Sequence, residues 1–332
     1  MSRSRLALHA AIGVAVSTIC VVALLHSVDV ALVGDTLRSA ELAPLIAALA
    51  ILLVAFWLRS WRYVVMFRPA ARRRITVGWS FWTGAVGMLA NNALPVRLGD
   101  LLRAIALARV ARVSRVECTS AAVTERVFDV VGLAILTLIL APVMPESRVM
   151  SATIGVAAVI VAVAVLAVLV VAWAPGRRAR EVFARIARAL VPRHADRLMI
   201  GLENAVRGGH AVRNQGAALR AMGLTLVSWL VLGASAWAAL RAVSPDPTWS
   251  AALVTLVFVN FAMAVPSTAA GLGVFEVAGV AALTAFGFDR ETALSATVVI
   301  HALNIVPFIP LGLVGLAMLR GPRRTRDVQV TA

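Results

Sequence analysis

The chain reads as an all-α polytopic integral membrane protein, and three features of its sequence predict that class. Its 332 residues are 61% hydrophobic and 14% charged, with a mean hydropathy of +0.90, whereas a soluble domain carries roughly 25% charged residues. The apolar residues are strung into runs of about 20, the length that crosses a hydrocarbon core of ~30 Å at ~1.5 Å per helical residue. All 32 basic residues are arginines, and they cluster in the short segments between runs, as the positive-inside rule predicts for cytoplasmic loops. The net charge of +16 is then matched by anionic inner-leaflet lipids, with no nucleic acid as partner. Cys20 and Cys118 form neither a disulfide framework nor a C-x-x-C metal pair and read as inert core residues. No cofactor is expected.

Taken in order, Arg3 and Arg5 precede Leu6 to Val28, an apolar run too long for a signal peptide and without a clear small-x-small cleavage site. It reads as a first span with the N-terminus inside. Asp29 to Glu41 carries Asp29, Asp35 and Glu41 against Arg38 alone and is placed outside. Leu42 to Phe67 returns into a basic cluster of Arg59, Arg62, Arg68, Arg72, Arg73 and Arg74, which reads as cytoplasmic. Ile75 to Leu94 is apolar enough to cross, yet Arg97, Arg103, Arg109, Arg112 and Arg115 follow it, so both flanks carry the inside mark. A re-entrant hairpin from the cytoplasm resolves this, breaking at Asn91-Asn92-Ala93-Leu94-Pro95 and returning as a half-helix through Val110. Irregular backbone survives at membrane depth only where it is buried in protein or lines a wet cavity, so the break itself predicts a polar pocket.

Glu117 to Ala141 crosses outward, Pro142 to Met150 is a short outer loop, and Ser151 to Ala174 crosses back. Arg177 to Arg220 holds ten arginines against three acids and is the main cytoplasmic loop. Within it Val182, Phe183, Ile186 and Leu190 share a helical face suited to lying on the inner leaflet. Ala221 to Leu240 crosses outward to a loop at Arg241 to Thr248. Trp249 to Val265 and Val274 to Phe286 are separated by Pro266-Ser267-Thr268-Ala269-Ala270-Gly271-Leu272-Gly273. The second stretch makes only about 20 Å of helix, short for a span, which predicts a hairpin entering from outside. Thr292 to Leu319 then reaches the basic tail of Arg320, Arg323, Arg324 and Arg326. The expectation is about six full spans plus two broken hairpins entering from opposite faces, with both termini cytoplasmic. Discontinuous helices in corresponding places of the two halves point to an inverted repeat with its site near the midplane.

Charged residues inside these segments carry the candidate chemistry, because a charge at the bilayer centre costs ~2.5 to 3.5 kcal/mol even on the lenient insertion scale. Arg97, Asp100 and Arg103 fall along one face of the first half-helix. Asp100 either neutralises the two arginines, or they bind a phosphate beside the positive end of the helix dipole. Glu125, Arg126 and Asp129 lie within an otherwise apolar span, and the two acids, one turn apart, require a cation between them, for which Arg97 or Arg103 is the expectation. They read either as a proton relay or as counter-charge to the arginines. Gly271 and Gly273 allow close backbone approach where the second half-helix begins, and Glu276 in its first turn favours the dipole or serves the site. Asn260, His301 and Asn304 read as helix-packing polar residues.

Three motifs in order resemble one family. Asn92-Ala93-Leu94-Pro95-Val96-Arg97-Leu98-Gly99-Asp100-Leu101-Leu102-Arg103, then Glu125-Arg126-Val127-Phe128-Asp129, then Pro266 with Gly271-Leu272-Gly273-Val274-Phe275-Glu276 are similar to signatures of the lysylphosphatidylglycerol synthase transmembrane-domain family, also called flippase-like. The resemblance runs from about Leu6 to Leu319. It departs at Asp100, where Glu is common, and at Pro-Ser-Thr-Ala-Ala-Gly in place of a Pro-Gly-Gly type of stretch. The resemblance implies a single flippase-like transmembrane domain over residues 1–320, with the basic loop at 175–220 and a basic cytoplasmic tail at 321–332. It implies a role in moving lipids or lipid-linked sugars between leaflets, and not aminoacylation, since the soluble transferase domain of the synthases has no room here.

The leading expectation is an inner-membrane translocase for an anionic phospholipid or lipid-linked sugar. Half-helix N-termini with Arg97, Arg103 and Arg126 would hold the headgroup, Asn92, Asp100, Gly271 and Gly273 would line the site, and Glu125, Asp129 and Glu276 would balance charge or carry protons. The alternatives are a membrane-embedded glycosyl or acyl transferase, or a non-catalytic subunit of an envelope-lipid synthase. No H-E-x-x-H, G-x-S-x-G or Walker loop occurs, which disfavours an enzyme. Assembly as a homo-oligomer is compatible with the sequence.

Overall fold

In the computed structural model, residues 15–93, 98–173, 214–263 and 269–320 are described, with positions 181 and 185 besides, and only the backbone of 164–173 and 269. Of the break expected at Asn91 to Pro95, residues 91–93 close a helix, while Leu94 and Pro95, with Arg97 after them, lie outside the described residues. So do the loop helix around Val182 to Leu190, Pro266 to Thr268, and the basic tail.

The protein is all-helical among the described residues. The elements are α1 (Ala15–Leu25), α2 (Val30–Arg38), α3 (Leu42–Val65), α4 (Pro69–Arg72), α5 (Val77–Ala93), α6 (Gly99–Ala111), α7 (Arg115–Leu140) and α8 (Arg148–Trp173). They continue with α9 (Gln215–Arg241), α10 (Trp249–Ala262), α11 (Val274–Ala285), α12 (Arg290–Ile305) and α13 (Phe308–Arg320). Among the described residues four helical stretches are long and apolar enough to cross a membrane: Leu42–Val65, Arg115–Val143, Gln215–Arg241 and Arg290–Arg320. The last is interrupted at Val306-Pro307, where proline removes a backbone donor.

The first span ends earlier than its apolar run suggests. α1 stops at Leu25, and the chain bends by 87° into α2. Asp29 caps α2 by accepting from the Ala31 and Leu32 amides, so Asp29 to Glu41, the segment expected outside, is largely a helix. It packs against α12.

Two ends of the bundle are distinguishable by charge. At one, the Asp29 amide donates to Glu291 Oε1 at 3.3 Å and the Glu41 amide to the Ala242 carbonyl at 2.9 Å. The segments expected outside are thus together. At the other, Arg74 donates to the Arg112 carbonyl at 3.4 Å, and an apolar cluster of Tyr63, Phe67, Ile75, Ala111, Cys118 and Ala221 seals the helix ends.

These contacts establish both hairpins. α5 leaves the basic end and α6 returns to it, because Arg74 precedes one and Arg112 follows the other. The two legs touch backbone to backbone: a Cβ added at Gly99 would collide with the Gly87 carbonyl oxygen, and the Gly99 amide donates to Asn91 Oδ1 at 2.8 Å. α13 lies along α5 through Gly312 and Gly315, which leave room for Leu89 and the Trp82 carbonyl. The second hairpin pairs α10 with α11, and both its ends meet at the acidic end, where Thr248, Phe286 and Asp289 help line a cavity of about 470 Å³. The turn Ala269–Gly271 at the tip of this hairpin packs against α5. Hairpins entering from opposite ends therefore meet inside the bundle.

Candidate functional site

Where the first hairpin meets α3 and α7, the protein builds a buried ion network. Glu125 and Asp129 project from α7 one turn apart, and Arg62 of α3, 0% exposed, lies between them. Its Nη2 donates to Glu125 Oε1 at 2.8 Å, while Nη1 donates to Asp129 Oδ1 at 2.5 Å and to Thr225 Oγ1 of α9 at 3.0 Å. Arg103 of α6 holds the other oxygen of Glu125 at 2.7 Å and reaches Ser80 Oγ of α5 at 3.4 Å. Its guanidinium lies 3.9 Å from the ring centroid of Tyr63, whose hydroxyl donates to the Cys118 carbonyl at 2.7 Å. In a medium this poor in water, two carboxylates on adjacent turns are tolerable only because cations are fixed between and beside them.

The expectation for that central cation is therefore corrected. Arg103 is present on one side, but the residue between the acids is Arg62, which the sequence reading assigned to the cytoplasmic cluster. Arg59, assigned to the same cluster, stands one turn away with Nη2 3.7 Å from Asp129 Oδ1 and its guanidinium 4.7 Å from the Trp229 ring centroid. The signal that could have found both was their position inside the Leu42 to Phe67 run, three residues apart on one helical face. Charges within a span mark polar contacts within the bundle.

Asp100 and Arg126 form a separate fork. Arg126 Nε and Nη2 donate to the two oxygens of Asp100 at 2.8 and 2.7 Å, and both side chains are open, at 57% and 37% exposure. Asp100 thus neutralises Arg126 and not Arg103. Arg126 Nη1 also stands 3.8 Å from Asp129 Oδ2, which links the fork to the network. Asn92, at the hairpin tip, donates to the Asn304 carbonyl at 3.4 Å.

The second hairpin is assembled differently. Ala270, Gly271 and Gly273 all have positive φ, at 60°, 82° and 85°, which turns the chain sharply into α11. A Cβ at Gly273 would meet the Ser17 carbonyl oxygen of α1 at 2.7 Å, so glycine is required there for space as well as for φ. Glu276 accepts from the Gly273 amide at 2.6 Å. Its other oxygen lies 2.5 Å from His301 Nδ1 of α12, while His301 Nε2 lies 3.1 Å from the Ala270 carbonyl and the imidazole stacks on Phe275 at 4.1 Å. His301 faces two acceptors, so the pair shares a proton that either Glu276 or the imidazole carries. Read singly as packing residues, His301 and Asn304 instead join the two hairpin tips to α12. Asn260 donates to the Leu256 carbonyl within its own helix.

The half-helix N-termini are partly occupied from within the protein. At α6 the Gly99 amide is taken by Asn91, and at α11 the Gly273 amide is taken by Glu276. Each helix start already has an internal acceptor.

A family model described as the lysylphosphatidylglycerol synthase TM region matches residues 10–312. Nothing matches the chain among curated proteins or among solved structures.

Proposed function

Because the chain belongs to the lysylphosphatidylglycerol synthase transmembrane-region family, a family of membrane proteins in lipid metabolism or transport, we propose that it translocates an anionic phospholipid or lipid-linked sugar between leaflets of the cell membrane. The observation that supports this reading is the meeting of two opposed hairpins beside a buried network of arginines and acids. Polar groups inside the bundle are what a translocase needs for a headgroup to leave water while its acyl or prenyl tails stay in lipid. Arg103 and Arg126 supply positive charge there, Asp100, Glu125 and Asp129 hold that charge in place, and Asn92, Gly271, Gly273 and Glu276 shape the tips. The Glu276–His301 pair is the proton-carrying group in this scheme. The basic end faces the cytoplasm, where the positive-inside rule puts arginines.

The test is reconstitution. Proteoliposomes holding a headgroup-labelled anionic phospholipid should lose the inner-leaflet label to an impermeant quencher faster than protein-free vesicles. Equal rates would overturn the translocase, and a covalently altered lipid would replace it with a transferase. Topology is tested separately in a Cys20→Ala background. Arg74→Cys and Arg115→Cys, both exposed, should be labelled from one side of the membrane only, and labelling from opposite sides would remove the first hairpin.

A further inference from the structure

The ion network leaves one cation over. Arg59, Arg62, Arg103 and Arg126 face Asp100, Glu125 and Asp129, so among the described residues the cluster holds one positive charge more than it balances. The surplus can be located. Arg62 is held by two carboxylates, Arg103 by one, and Arg126 by a bidentate fork. Arg59 makes no hydrogen bond among the described residues: its nearest carboxylate oxygen is 3.7 Å away, past hydrogen-bond reach, and its Nε, like those of Arg62 and Arg103, is buried without an acceptor.

A second observation lies beside it. Trp229, 4% exposed, stacks on the Arg59 guanidinium, and its Nε1 is likewise buried without an acceptor. Donors on neighbouring side chains that are left unmet when dry are destabilising, so the pair calls for oxygen atoms from elsewhere. Stacking on an indole holds the guanidinium plane while leaving its edge free to donate. The direction of approach is also fixed. Arg62 is 1% exposed at its side chain, but Arg59 is 28% and Arg126 57% exposed. Arg59 and Arg126 approach different oxygens of one carboxylate, Asp129, at 3.7 and 3.8 Å.

We infer that Arg59 and Arg126, at the open rim of the network around Asp129, form a binding site for the phosphate of a lipid headgroup, with Arg59 stacked on Trp229 as its anchoring cation. A phosphodiester carries one negative charge, which cancels the surplus, and its planar-fork recognition by arginine is the strong form of such a contact. Asp129, which faces both arginines, is the internal anion with which the phosphate competes. The inference rests on the translocase reading for the identity of the ligand as a lipid. It transfers the anchoring role expected of Arg103 to Arg59, since Arg103 is already held by Glu125.

The experiment is native mass spectrometry of the purified full chain with equimolar phosphatidylglycerol and diacylglycerol, which differ in the phosphate headgroup. The wild type should retain phosphatidylglycerol about tenfold over diacylglycerol, the magnitude of one charged hydrogen bond. Arg59→Gln should bring that ratio close to one, and Arg241→Gln, at the acidic end, should leave it unchanged. Inorganic phosphate at millimolar concentration should not displace the lipid, and displacement would assign the site to soluble phosphate and overturn the lipid. An unchanged ratio in Arg59→Gln overturns the site. If that variant does not fold, the wild type decides, since equal retention of the two lipids overturns the site equally. Transport by wild-type proteoliposomes alongside an unchanged ratio in Arg59→Gln would leave the translocase standing without this site. A lost ratio without any transport would leave the site standing without the translocase.

Discussion

The two hairpins share an architecture and differ in what holds them. The first, α5–α6, is fastened through the Arg103–Glu125 and Asp100–Arg126 pairs to an ion network that also ties α3 to α7 around the wholly buried Arg62. The second, α10–α11, is fastened through positive-φ glycines and a single Glu276–His301 pair among apolar neighbours such as Val254, Phe275 and Leu283. Like shapes therefore carry unlike chemistry. A buried ion network is stiff, because displacing one member strands the others in low dielectric. A glycine turn closed by one shared proton has fewer contacts to break. The first hairpin is suited to holding charge in a fixed place, and the second to changing its contacts.

The sharpest way to break this contrast is at Arg62. Arg62→Met should destabilise the protein by about 3 to 5 kcal/mol, because Glu125 and Asp129 are then left without the cation between them. Thermal unfolding in detergent reads the effect. Adding Glu125→Gln and Asp129→Asn to Arg62→Met should recover much of the loss, and no recovery would mean that packing, rather than charge, fastens the first hairpin.

Backbone contact comes next. Gly99→Ala forces a methyl group against the Gly87 carbonyl, and it should cost toward the upper end of the 1 to 3 kcal/mol typical of overpacking. A variant as stable as the wild type in the same unfolding measurement would show that the two legs are less closely packed than described.

His301→Ala should cost less, toward the lower end of about 1 to 3 kcal/mol, since Glu276 keeps its bond from the Gly273 amide when the imidazole is gone. Its transport rate should fall further than its stability suggests. A variant that transports normally would remove the Glu276–His301 pair from the proton-carrying role.

The smallest effect belongs to the Asp100–Arg126 fork. With both side chains open, Asp100→Asn should change stability by about 1 kcal/mol or less, while freeing Arg126 for phosphate and raising phosphatidylglycerol retention in the mass-spectrometric assay. A fall in retention would mean that Asp100 positions Arg126 for the lipid.

The sequence alone determined the parts that depend on length and charge pattern. Runs of about 20 apolar residues specify helices, because a single segment of that length satisfies its own backbone polar groups in lipid only as a helix. Arginines on both flanks of Ile75 to Leu94 specified a hairpin, and the Arg74–Arg112 contact shows its two ends together. The short second leg specified the other. Glu125 and Asp129 could be recognised as needing a cation, because one-turn spacing is a local property of a helix.

Only the tertiary structure decided which cation. Arg59 and Arg62 look, in sequence, like the first members of a cytoplasmic cluster that continues to Arg74. Whether an arginine near a span's end turns outward to headgroups or inward to a neighbouring helix depends on what that neighbour presents, and α7 lies more than 50 residues further along the chain. The same holds for His301, whose partners Glu276 and Ala270 are brought to it by the packing of α11 on α12. Spacing fixes which residues share a face, but it carries no record of which face is opposite. That pairing is set by the whole bundle at once, through the burial of its apolar helices and the requirement that no charge inside it be left alone.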